Sequence, residues 1–227
     1  MLTGLPTYVT IIFLLTTGLT FILFISSVKN KTTPAIIILV WLALNGVLAY
    51  KGFFQKISAV PPRLMLVMAP AILFSILLIT TPKAKSFTDN LVLKKITLLH
   101  IVRLPVELVL YWLAANKFIP ELMTFSGRNF DIISGISAPI IFLVCFKGTE
   151  IRNKKLLLVW NFICLALLLN IIVNALLSAP FPFQQFAFDQ PNIAVLYFPF
   201  IWLPCFIVIV VLLSHLVAIR RLLKKVE

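Results

Sequence analysis

Apolar residues run through this chain in long unbroken stretches, separated by short segments that carry Lys, Pro, Asn or Gly. Crossing a hydrocarbon core about 30 Å thick takes about 20 helical residues. Seven stretches approach or exceed that length: 7–28, 34–50, 63–81, 91–115, 129–147, 155–178 and 193–217. The runs are continuous, whereas strands of a membrane barrel alternate apolar and polar positions. The pattern therefore predicts an all-α membrane protein, a seven-transmembrane-helix bundle forming one domain over residues 1–227. Short connections leave no room for a soluble domain. The second stretch is the shortest, and Lys31 and Lys51 beyond its ends can snorkel to the interface. Met1 to Thr7 hold no Lys or Arg, so the first stretch is expected to be a span, not a cleaved signal peptide.

Composition agrees with this pattern. Hydrophobic residues make up 61% of the chain and charged residues 12%, half the roughly 25% of a soluble domain. A soluble enzyme, a disordered tail and a disulfide scaffold are thereby disfavoured. The net charge of +13 would suit a nucleic-acid binder, but there is no soluble surface to present it, and no nucleic acid is expected. The basic residues are instead sorted by loop. Fourteen lie at one set of ends: Lys29, Lys31, Lys83, Lys85, Lys94, Lys95, Lys147, Arg152, Lys154, Lys155, Arg220, Arg221, Lys224 and Lys225. The opposite set holds five, Lys51, Lys56, Arg63, Lys117 and Arg128. Positive charge marks the cytoplasmic side. The N-terminus is thus expected outside and the C-terminus in the cytoplasm of a bacterial inner membrane, with anionic headgroups as partners of the basic loops.

Ionisable residues inside a membrane cost free energy and are candidates for function. Span four holds His100, Arg103, Glu107 and Tyr111. At about 100° per residue all four occupy one stripe of the helix. Arg103 and Glu107 stand at i, i+4 and can pair, which would neutralise both charges. Pro105 between them removes a backbone donor and should kink the helix. Span five opens with Ser126-Gly127-Arg128-Asn129-Phe130-Asp131, where Ser126 or Asn129 is placed to cap and Asp131 to meet the positive end of the helix dipole. Arg128 has Asp131 and Glu121 as candidate partners, with anchoring at the headgroups as the alternative. Asn45 of span two, Asn170 and Asn174 of span six, and Tyr197 of span seven add polar groups in the outer half of the bundle, where interhelical hydrogen bonding is the plain alternative to a ligand site. Tyr197, Pro204 and His215 share one face if span seven is a regular helix. Pro199 and Pro204 should bend or break it.

His100 and His215 are expected at a similar depth, which makes them weak candidates for a shared metal ion or a haem. Cys145, Cys164 and Cys205 read as small packing residues. The segment 179–192, with Phe181, Phe183, Phe186 and Phe188 among prolines, reads as an interfacial anchor or as a lid over an outward-facing pocket. No zinc-protease, Walker or nucleophile-elbow motif is present. In size, span count and orientation the chain is similar to the microbial rhodopsins. That resemblance, confined to gross topology, implies a retinal held by a lysine in the seventh span; 193–217 has none, so a retinal Schiff base is excluded. No other cofactor is expected.

Three classes of function fit these residues. The first is a transporter, facilitator or receptor binding a small molecule, with Arg103 the natural partner of an anionic group. The second is an accessory subunit whose polar residues serve packing. The third is an intramembrane enzyme or redox protein acting on a lipid or quinone. The residues favour binding over catalysis.

Overall fold

In the computed structural model, which describes residues 2–224, helices account for most of the chain. Lys225, counted above among the basic residues, lies outside the described residues. The helices are α1 (Thr7–Ser27), α2 (Thr32–Tyr50), α3 (Met65–Thr80), α4 (Pro82–Asp89), α5 (Leu93–Leu99), α6 (Arg103–Ala115), α7 (Ile132–Cys145), α8 (Lys154–Leu177) and α9 (Val208–Leu223). A short hairpin pairs β1 (Phe146–Lys147) with β2 (Glu150–Ile151). Five helical segments are long and apolar enough to cross a membrane: 7–27, 32–50, 93–115, 154–177 and 203–223. Two shorter apolar helices, α3 and α7, have 16 and 14 residues.

Local chemistry explains where these elements begin and end. Pro6 precedes α1, whose buried Thr16, Thr17 and Thr20 return their hydroxyls to carbonyls four residues back. A polar side chain thereby sits in an apolar helix without an unmet donor. Asn153 caps α8 by accepting from Leu156 N at 3.0 Å. The fifth stretch is shorter than expected at both ends. Asn129 Oδ1 accepts from Asp131 N and holds an Asx turn before α7. At the other end Gly148, at φ +62°, turns the chain into the hairpin after Cys145.

Two interruptions follow from proline. α5 and α6 are joined by a 3₁₀ turn, His100–Val102, in the turn preceding Pro105, which has no N–H to continue the α-ladder. The seventh stretch departs further from expectation. Residues 193–202 are a 3₁₀ turn (Ala194–Leu196) and irregular backbone, and the helix starts only with a π-turn at Leu203–Ile207. Pro199 and Pro204 leave too few backbone donors for a regular helix from 193, and helical structure instead extends on to Leu223. The shared face of Tyr197 with His215 is therefore lost.

The segment 203–223 is the hub of the bundle, with 72% of its apolar window buried, whereas for α2 the figure is 22%. α9 packs against α8, α3 and α5, and α1 covers α5 and α6. α2 is fastened at the periphery by two indoles: Trp41 Nε1 donates to Cys205 O and Trp202 Nε1 to Leu42 O, each at 2.9 Å. Connections gather at two ends. At one, Lys95 reaches Ser26 O, Arg220 and Lys224 pair with Asp89, and Lys154 reaches Lys224 O. This is the basic end. At the other, Phe54, Leu64, Phe181 and Val195 form a small second core.

α7 and the first turn of α6 approach closely at Gly135. A Cβ there would stand 2.9 Å from Leu104 N and 3.3 Å from Arg103 Cβ. Gly135→Val should therefore push α7 off this turn and cost about 1–3 kcal/mol. A fall in the midpoint of thermal unfolding of the detergent-purified protein, absent for Gly18→Ala in open space, would register it.

Candidate functional site

Arg103 opens α6 directly after the 3₁₀ turn, and its side chain leaves its own helix. Nη1 stands 3.1 Å from Asp131 Oδ1 at the start of α7, and both terminal nitrogens approach Cys164 O of α8 at 3.4 Å. The pairing with Glu107 that the i, i+4 spacing allows is not made; Arg103 takes this partner instead. A guanidinium on a long side chain can reach a neighbouring helix, and the close approach at Gly135 brings Asp131 within range. Asp131 acts as the acceptor of that ion pair, with no side-chain cap bond to its own helix.

Glu107, one turn further along α6, is held differently. Its Oε1 accepts from Asn129 Nδ2 at 2.6 Å, and the same amide donates to Met123 O at 3.0 Å. Arg103, Glu107, Asn129 and Asp131 are 0–5% exposed. Asn129 thus ties the 121–131 loop, the start of α7 and the Glu107 carboxyl into one unit.

These groups border a cavity of about 80 Å³. Arg103, Glu107 and Asp131 form its charged end, and Val106, Leu110, Leu168, Ile171, Ile207 and Val211 form apolar walls. Asn192, Ala179 and Val195 line it from the non-basic end. Among the described residues that line it, Glu107 Oε2, Arg103 Nε and Asn192 Oδ1 are buried with neither a hydrogen bond nor an ion-pair contact. Buried polar atoms are nearly always paired, so three unmet ones around one void mark a place for a ligand or water.

The segment 179–192 contributes to this cavity. Gln190 Nε2 donates to Ala114 O and Ile119 O, Asn192 N to Ser178 O, and Ile193 N and Ala194 N to Phe118 O. The segment is thereby stitched over the ends of α6 and α8. Phe181 turns inward and is 4% exposed, whereas Phe188 is 71% exposed. One side of the segment therefore packs inward and the other carries an exposed aromatic.

Other expected site residues lie elsewhere. Tyr111 is 44% exposed and stacks on Phe125, because eight residues of helix carry it about 80° round from Arg103. Asn45 is buried, donates to Trp41 O and does not line the cavity. Asn170 is exposed and binds Arg128 O, and Asn174 binds back to Asn170. Tyr197 is half-buried against the second core. Arg128 lies over the Phe186 ring at 5.5 Å, not on Asp131 or Glu121. Asn129 was legible only as a capping candidate, and Asn192 gave no signal beyond following a proline.

His100 and His215 do meet at one depth, as a stack with ring centroids 4.0 Å apart and planes at 21°. His215 Nδ1 is bonded to Asn161 Oδ1 at 2.9 Å, and Trp160 lies edge-on to His100. In-plane lone pairs of parallel rings do not converge on one ion, and ring-on-ring contact leaves no room for a porphyrin between them. Among the described residues no group of three or more His, Cys, Asp or Glu is placed to hold a metal.

Removing one partner of a buried ion pair leaves an unmet charge, which costs about 3–5 kcal/mol, while replacing both with apolar residues costs far less. Asp131→Leu should therefore destabilise the protein strongly, and Arg103→Leu combined with Asp131→Leu should recover much of the loss. Denaturation of both variants in detergent checks the sign of that coupling.

A family model described as a domain of unknown function, DUF8737, matches residues 60–223. No curated protein and no solved structure matches the chain. The matched region omits α1 and α2 but contains every residue that lines the cavity. It spans well over half of the sequence, and the chain belongs to the DUF8737 family.

Proposed function

We propose that this chain is a seven-span protein of a bacterial inner membrane, N-terminus outside, that binds or passes a small molecule as transporter, facilitator or receptor. The observation carrying this reading is the cavity bordered by Arg103, Asp131 and Glu107, with a buried carboxylate oxygen left unpartnered at its edge. Burying three ionisable groups serves packing poorly, because apolar residues of similar volume stabilise a core as well or better. A void of about 80 Å³ beside them has no packing role at all. Large exposed apolar side chains along α1, α2, α7 and α8 support the membrane setting. The basic end, facing anionic headgroups, supports the orientation. In that orientation the cavity lies in the outer half, covered by 179–192. Small-molecule binding is favoured over a purely accessory role by the cavity, and over a haem or metal ion shared by His100 and His215 by the stacking of those two rings.

Two experiments test the reading. Single cysteines at Phe188→Cys and Glu150→Cys, both exposed positions, report the orientation, since the native cysteines are buried. A membrane-impermeant maleimide applied to whole cells should label the first and spare the second; the reverse pattern overturns the orientation. Ala175→Leu places three extra carbons at the cavity wall. It should leave the fold intact while abolishing the thermal stabilisation that wild-type protein shows with members of a panel of amines, carboxylates and alcohols of up to about six heavy atoms. A panel in which no compound stabilises the wild type would sink the binding proposal.

A further inference from the structure

The geometry points to the chemical class of the occupant: a short primary alkylammonium, its nitrogen on Glu107 and its carbon chain among the apolar walls. This rests on the reading of the cavity as a binding site and goes on to specify what enters it.

Charge balance is the first support. Arg103 is the one cation at the cavity among the described residues, and Asp131 already faces it at 3.1 Å. Glu107 receives only an amide N–H, from Asn129. The remaining ion pairs among the described residues, Asp89 with Arg220 and Lys224, lie at the basic end. With Glu107 ionised, two carboxyls against one engaged guanidinium leave the site short of one positive charge. An anion would meet an Arg103 already neutralised and a second carboxyl beside it.

Hydrogen-bonding capacity is the second. Two of the three unmet atoms, Asn192 Oδ1 and the Oε2 of an ionised Glu107, are acceptors, and the Asn192 side-chain amide already donates to Ala175 O at 3.2 Å. Acceptors call for donors. An ammonium offers three N–H groups, whereas an alcohol offers one O–H and no charge. The third support is size. An engineered cavity of about 150 Å³ binds benzene, so a void of about 80 Å³ suits a chain of a few carbons. Its walls beyond the charged end are Val, Leu and Ile, which suits the alkyl part.

The test compares n-butylammonium, tetramethylammonium, n-butyrate and n-butanol by thermal unfolding and calorimetry of the full-length protein in neutral detergent. Butylammonium should stabilise the wild type in a saturable way. Tetramethylammonium, with the charge but no N–H, should bind about tenfold more weakly or not at all. Butyrate should have no effect. Glu107→Gln, which keeps the shape and the bond from Asn129, should lose the butylammonium response while retaining any response to butanol. If Glu107→Gln does not fold, Asn192→Ala should weaken butylammonium binding without changing that of butanol. Stabilisation by butyrate or butanol in preference to butylammonium overturns the ammonium assignment and leaves the binding site standing. So does an undiminished butylammonium response in Glu107→Gln. If none of the four compounds binds wild-type protein, the ammonium assignment falls; if the wider panel is also silent, the binding reading falls with it.

Discussion

A guanidinium held 2% exposed inside an apolar bundle is the constraint around which this molecule is organised. Removing such a charge from water costs several kcal/mol even after relaxation, and only close partners offset it. Arg103 finds them on two other helices, the Asp131 carboxylate on α7 and the Cys164 carbonyl on α8. Meeting that need dictates local structure. Glycine at 135 lets α7 lie against the Arg103 turn, and the Asn129 side chain shapes the loop that delivers Asp131. The 3₁₀ turn ahead of Pro105 sets the start of α6, from which the guanidinium departs.

Proline shapes the second half of the bundle in a comparable way. Pro199 and Pro204 prevent a regular helix before 203, and the chain passes through a π-turn before α9. Trp41 donates to the Cys205 carbonyl within that turn, and Trp202 answers by donating to α2. Such interruptions are tolerated at membrane depth where side chains from neighbouring helices satisfy the backbone. Leu203, Pro204 and Ile207 of the turn line the cavity, so the broken helix is also one of its walls.

The cavity joins these two irregular regions. Its charged end comes from the α6–α7 contact, its apolar wall from α8 and the π-turn, and its cover from the segment after α8. Cover and walls are cross-linked by hydrogen bonds from Gln190, Asn192 and Ile193 to carbonyls at the ends of α6 and α8.

Read alone, the sequence determined the properties that depend on local order. Continuous apolar runs require helices whose backbone groups are satisfied internally, and all seven segments contain one. Helical periodicity placed His100, Arg103 and Glu107 on one buried face, and the spacing from the basic ends put His100 and His215 at one depth. Pro105 announced the break in the fourth segment. What the tertiary structure decided is which groups meet. Arg103 bypasses the carboxyl four residues along its own helix for one 28 residues away, since its flexible stem spans the gap between helices and the close packing at Gly135 narrows that gap. Asn129 and Asn192 carried no periodic signal because they stand in irregular segments, where facing direction follows from packing and not from residue spacing. The cavity itself is a shortfall of volume among α3, α6, α8 and α9, and a void between elements has no sequence of its own.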